Sequence, residues 1–186
     1  MNIEEAYRRY QEMQAWVGWT DDSARRVAVT ADLLAPHLVS LVDDFYAEID
    51  RHPGACKVIT GGPQQVERLK QTLIQWLRQL LGGRYDRDHV ARRWQVGWRH
   101  VEIGLEQVYT NVALSRLRRG LLRELEERWP EEPRELLAAR RSLNTLIDLD
   151  LAIIEDAYQA EYAQRLQRSE RRLSRERSEA AFLPGP

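Results

Sequence analysis

The chain has 186 residues, 43% of them hydrophobic, with a formal net charge of -1. That length suits one domain, or one domain with a tail, and the near-zero charge gives no global attraction to nucleic acid or anionic lipid. A single cysteine, Cys56, excludes an intrachain disulfide framework and any multi-cysteine metal cluster.

Apolar residues recur at spacings of three and four, and no stretch alternates with a period of two, so the chain reads as all-α. Asn2 caps a first helix running to about Trp16 and ended by Gly18. Thr20 or Asp21 caps a second, through about Ala35. Pro36 suits the first turn of a third helix, with Leu38, Leu41, Val42, Phe45, Tyr46 and Ile49 on one face. Pro53 and Gly54 end it, and a short irregular piece follows. Pro63 opens a fourth helix with Val66, Leu69, Leu73, Trp76, Leu77 and Leu80 inward, and Gly82 and Gly83 stop it. Asp86 or Asp88 starts a helix that carries His100 and breaks at Gly104. Leu105 to Trp129 reads as one long helix closed by Pro130 and Pro133. No apolar run reaches membrane-spanning length and the N-terminus is charged and amphipathic, so the expectation is a cytoplasmic protein without a membrane partner.

A last helix runs without a breaker from about Arg134 to Glu179, far beyond the globular norm. Leu143, Ile147, Leu151, Ile154, Tyr158, Tyr162, Leu166 and Leu173 form one stripe; Leu146, Leu149, Ile153, Ala157 and Ala160 form a second. Two stripes predict two buried faces, one toward the core and one toward a partner. After Tyr162 the thin leucine seam on a charged helix predicts a coiled-coil extension. Its arginines, from Arg165 to Arg177, read as a solvated face laced with Arg–Glu pairs and not as a nucleic-acid surface. Residues 180–186 read as a frayed tail.

His37, His52 and His89 lie at helix starts or turns, His89 in a first turn where a partly exposed polar residue is normal; only His100 sits on a mainly apolar stretch, one turn after Val96. With no second ligand at helical spacing it cannot hold a bare metal ion, but it can supply the single axial bond that a haem iron takes from its protein. The alternative is a core histidine bonded to backbone. Six tryptophans against two phenylalanines offer wall material for a flat apolar ligand, or plain core. No nucleophile or paired-carboxylate constellation points to an enzyme.

The strings Phe45-Tyr46, Gln65-Val66-Glu67-Arg68-Leu69-Lys70-Gln71-Thr72 with Trp76, and His100-Val101-Glu102-Ile103-Gly104-Leu105 resemble the sensor globins of bacterial globin-coupled sensors, over about residues 20–165 and especially the histidine-kinase type. The resemblance implies a globin fold with an extra N-terminal helix and an extended last helix, dimerising through the last two long helices. It implies haem b with His100 as the iron ligand, Tyr46 as distal hydrogen-bond donor, and Leu69 and Thr72 on the distal helix. Phe45, Val96 and Tyr109 are further cofactor contacts. A phenol O–H stabilises the negative charge that dioxygen draws from ferrous haem, which favours dioxygen over carbon monoxide; nitric oxide and cyanide are further candidate ligands. Leu69 would exclude water. Thr72 either donates a second hydrogen bond or back-bonds its own helix. Gln65 is a candidate for the distal side, and Arg92, Arg93 or Arg99 for haem propionates. Where many relatives carry an aromatic pair after the histidine, this chain has Tyr109-Thr110, so a proximal hydrogen bond from the second position is in question.

The expectation is therefore a haem-binding sensor domain at 1–164, followed by a helical linker at 165–186 leading to an output module in cis. Two other readings stay open: a non-signalling oxygen-binding globin, and a cofactor-free helical dimerisation or adaptor module.

Overall fold

A computed structural model describes the backbone of residues 2–130 and 132–181, and side chains up to residue 174. The expected frayed tail falls mainly on residues 182–186, outside the described ones. The helices are α1 (Ile3–Trp16), α2 (Asp21–Leu34), α3 (Leu38–Ile49), α4 (Pro53–Cys56), α5 (Gly62–Leu80), α6 (Arg87–Glu102), α7 (Gln107–Arg128) and α8 (Pro133–Ala181), with a 3-10 turn Ala35–His37 between α2 and α3.

Local chemistry sets these boundaries. The Asn2 side chain accepts from Glu4 N–H at the start of α1, Thr20 and Ser23 form a reciprocal capping box on α2, and Asp86 accepts from His89 N–H on α6. At the end of α6, Gly104 takes φ +74°, Gly104 N–H bonds the Val101 carbonyl, and Leu105 N–H bonds the His100 carbonyl at 2.9 Å. This closure of orphan carbonyls needs a left-handed residue, which favours glycine. Two elements differ from the sequence expectation: Pro36 falls in the 3-10 turn before α3 and not in its first turn, and Pro53, expected to end the third helix, opens the single turn α4 after that helix has stopped at Ile49.

The main core joins α2, α3, α5, α7 and α8 through Val27, Leu38, Phe45, Leu77, Leu121 and Leu143, among others. A second cluster places Ala6 and Tyr10 of α1 and Val90 of α6 against Leu149 and Ile153 of α8. A third packs Val101 of α6 on Ile154 and Tyr158 of α8. Up to Tyr158, both stripes of α8 are thus largely buried within this chain. The expectation that the second stripe faces a partner is corrected here, because α1 and α6 cover it. Among the described residues of α7 and α8, the large apolar side chains that stay exposed are the outgoing seam of Tyr162, Leu166 and Leu173, with Leu137 on α8 and Val108 and Val112 on α7. Arg165 pairs with Glu161 at 3.1 Å on the emerging stretch, the expected solvated pattern. Among the described residues, no helix is long and apolar enough to cross a membrane.

The most extensive packing is α6 against α8. It is closest at Gly97, where an added Cβ would lie 2.4 Å from the Ile154 carbonyl oxygen and 2.7 Å from the Ala157 Cβ. The backbones touch there because neither side interposes a large side chain. Gly97→Ala therefore pushes α6 off α8 and lowers stability by about 1–3 kcal/mol, the usual cost of overpacking. Thermal or urea unfolding measures this, with exposed Gln95→Ala near wild type as the control.

Candidate functional site

α5 and α6 follow one another but pack on different partners. α5 lies on α3, α6 lies on α8 and α1, and the α5–α6 pair is not among the extensive contacts. Several apolar side chains on these helices and their neighbours are half-buried instead of buried: Leu69 and Leu73 on α5, Val96 on α6, Tyr46 on α3 and Tyr109 on α7. Lys70 bridges α5 to α3 through Asp43 at 2.8 Å, with Glu67 at 3.1 Å on its own helix. That holds Leu69 and the Phe45-Tyr46 pair in fixed register.

Phe45 is buried in the main core and meets the Tyr46 ring edge-on, centroids 5.3 Å apart. The Tyr46 hydroxyl makes no hydrogen bond among the described residues, and burial pushes its pKa up to about 12, so it stays a protonated donor. His100 is half-buried near the end of α6, and burial pulls its pKa down to about 4, so the imidazole is neutral at pH 7. Its Nδ1 lies 3.4 Å from Thr110 Oγ1. Thr110 Oγ1 lies 2.9 Å from the Tyr158 hydroxyl, which donates to the Leu105 carbonyl at 3.1 Å. His100 Nε2 has no hydrogen-bond partner among the described residues.

Phe45 and Tyr46 thus lie on α3, Leu69 on α5, and Val96 and His100 on α6, while the His100 ring meets Thr110 of α7 and Tyr158 of α8. Val96 bridges the main core and the Val101–Ile154–Tyr158 cluster. Tyr109 seats its hydroxyl on the backbone of Gly54, where an added Cβ would lie 1.9 Å from it, so this residue ties α7 to α4. Thr72 is exposed and back-bonds the Arg68 carbonyl at 2.9 Å, the second of its two expected options. Gln65 Oε1 accepts from Gly61 N–H at 2.5 Å, satisfying the start of α5. Arg99 pairs with Glu102 on the surface.

Two expectations are overturned beside this site. His89 is fully buried despite its first-turn position, and Arg93 is fully buried and unavailable to a propionate. Both bind Asp150 of α8, also fully buried: His89 Nε2 to Oδ1 at 2.8 Å and Arg93 Nε to Oδ2. Arg93 also reaches the Trp76 carbonyl at 3.4 Å, and its guanidinium lies 4.6 Å from the Trp76 ring centroid. This cluster joins α5, α6 and α8. The sequence held a signal for it: Asp150 lies seven residues after Leu143 and four before Ile154, so it is a carboxylate inside an apolar stripe. Thr110 and Tyr158 were also missed as partners of His100, since only folding brings positions ten and 58 residues away to its ring.

A family model described as Protoglobin matches residues 6–164. The chain belongs to the Protoglobin family. This protoglobin is 30% identical over 161 residues to a haem-based aerotactic transducer of Halobacterium salinarum, a match covering 82% of this chain and 33% of that protein. The chain therefore spans about a third of that relative's length. Its fold is similar to the globin domain of a Geobacter sulfurreducens globin-coupled sensor, with a TM-score of 0.75 and 27% identity over 80% of this chain and 96% of the other. The ferrous globin domain of Escherichia coli DosC matches in fold with a TM-score of 0.64, 20% identity, and coverage of 79% and 97%. The all-α globin architecture read from the sequence is the one observed.

Burial alone would raise the Asp150 carboxyl, but Arg93 and His89 overcome this and hold it below the ordinary carboxylate range. A depressed carboxylate stabilises the fold above its unfolded value and loses that contribution as pH falls through the folded one. Asp150 thus contributes in full at neutral pH and loses its contribution only below the ordinary carboxylate range. Asp150→Asn leaves Arg93 charged and buried without its counter-ion and costs about 3–5 kcal/mol. Urea unfolding at pH 7 measures the loss, and repeating it toward acid pH shows the difference from wild type shrinking.

Proposed function

We propose that this chain is the haem-binding, gas-sensing domain of a globin-coupled sensor. The observation that carries the reading is the pair of polar atoms without hydrogen-bond partners among the described residues: a neutral imidazole Nε2 on α6 and a protonated phenol on α3, on helices that also carry half-buried apolar side chains. That donor set fits iron protoporphyrin IX, which needs one nitrogen ligand, an apolar slot and, on the other face, a hydrogen-bond donor. When bound, haem b supplies a ferrous iron that takes up a diatomic gas.

The chain's own residues do the rest. His100 Nε2 holds the iron. Tyr46 offers its O–H to a polar ligand, which favours dioxygen over carbon monoxide, nitric oxide being a further ligand of the ferrous form and cyanide of the ferric. Phe45, Leu69, Val96 and Tyr109 wall the slot and exclude water. Thr72, already bonded to its helix, contributes shape. The resemblance of the relatives, a transducer and a sensor by name, supports a signalling role over storage. The geometry adds a route: α6 carries the ligand and lies directly on α8, whose apolar seam continues past the bundle. In this reading α8 leads into an output module in cis, of histidine-kinase type, and the sensor itself catalyses nothing. Val108, Val112 and the α8 seam form the dimer face, with residues 165–186 as linker in a cytoplasmic protein.

His100→Ala is expected to lose haem, read as loss of the Soret band while far-ultraviolet circular dichroism stays helical. Tyr46→Phe is expected to raise the dioxygen dissociation rate roughly ten- to a hundred-fold, the cost of one hydrogen bond to a charged acceptor, in stopped-flow measurements. An unchanged rate removes Tyr46 from the distal role. The storage reading gains ground if the haem-loaded chain stays monomeric at high concentration in sedimentation experiments.

A further inference from the structure

A backbone carbonyl can only accept, and this fixes the direction of the hydrogen bonds behind His100. The Tyr158 proton goes to the Leu105 carbonyl at 3.1 Å, so the Tyr158 oxygen is left to accept. Thr110 donates to it across 2.9 Å, which leaves Thr110 Oγ1 to accept in turn. The group facing that oxygen at 3.4 Å is His100 Nδ1, which must then carry the imidazole proton. We infer that Tyr158, acting through Thr110, is a positioning residue that holds His100 as the Nδ1–H tautomer and keeps the Nε2 lone pair free for iron.

The surroundings make this specific. Tyr158 is fully buried against Val101 and Ile154, so its hydroxyl is not satisfied by solvent. Leu105, the acceptor at the end of the relay, also donates its N–H to the His100 carbonyl, so the corner closes on the histidine from both sides. Thr110 thus fills the place where a second aromatic was expected, and the aromatic hydroxyl arrives from α8 instead. The Tyr158 ring lies 6.1 Å from that of Tyr162, the first exposed residue of the outgoing seam. The iron ligand is therefore hydrogen-bonded, through one threonine, to the segment of α8 that leaves the bundle. A partner accepting from Nδ1–H makes the imidazole a stronger donor to its metal.

This inference rests on the proposed haem site for what occupies Nε2, but the tautomer is testable without haem. Nitrogen-15 imidazole shifts of the metal-free full chain at pH 7 are expected to show Nδ1–H for His100, with Nε2–H gaining population in Tyr158→Phe and Thr110→Val. In the ferrous, haem-loaded protein, resonance Raman is expected to place the iron–histidine stretch at lower frequency in both variants, and near wild type in Thr110→Ser, which keeps the hydroxyl. Haem transfer to excess apomyoglobin is expected to accelerate about ten-fold or more in both, as is usual when an outer partner of a metal ligand is removed. Tyr158→Phe keeps the buried ring and so separates the hydroxyl from packing. An Nε2–H tautomer in the wild type, or an iron–histidine stretch unmoved in both variants, overturns the inference. A wild type that binds no haem yet shows the Nδ1–H tautomer shifting in Tyr158→Phe sinks the haem reading and leaves the positioning role standing.

Discussion

The close approach of α6 to α8 is the constraint from which the site follows. Gly97 lets the two backbones meet at Ile154 and Ala157, and one turn later on α6 comes His100. One turn after Ile154 on α8 comes Tyr158. Two helices that touch at one level bring together the residues one turn beyond it, so the imidazole and the tyrosine ring end 6.2 Å apart with Thr110 between their polar atoms. Register between these helices is fixed a second time by Asp150, which holds His89 and Arg93 at the start of α6. A buried charge cluster is weak evidence for extra stability, yet it admits only one alignment of the helices that share it.

The same arrangement explains why α8 is both core and exit. Through residue 158 its stripes are spent on α1, α6 and the main core; beyond it the apolar residues thin to a seam and the ion pairs turn local. Under the proposed function, a group held by His100 would act on a ring whose other nitrogen reaches this helix through Thr110. A sensor needs an element with two packings of similar free energy, and a helix whose described residues beyond Tyr158 are largely exposed suits that role.

Many helix boundaries were legible because they are written in local chemistry: Asn2, Thr20 and Asp86 as caps, Pro63 at a start, Gly104 at a left-handed stop. His100 and Tyr46 were singled out by an apolar stretch and a family motif, and the structure leaves the His100 Nε2 and the Tyr46 hydroxyl without hydrogen-bond partners among the described residues. The residues behind them were not. Thr110 and Tyr158 carry no local signature, since a threonine or tyrosine on an amphipathic helix is ordinary until the packing shows what it faces. From the sequence alone His89 reads as partly exposed and Arg93 as a propionate candidate, because their shared partner lies 61 and 57 positions away. The second stripe of α8 was assigned to a partner because periodicity shows that a face is buried, not by whom.

Everything functional here depends on an iron–imidazole bond at position 100. Titrating the purified metal-free chain with haemin, and following the Soret band through the ferric, ferrous and dioxygen-exposed forms, tests that bond most directly. Saturable one-to-one uptake with a ferrous spectrum that shifts reversibly under dioxygen is the expected result. A chain that gives only the unsaturable spectrum of free haemin contradicts it.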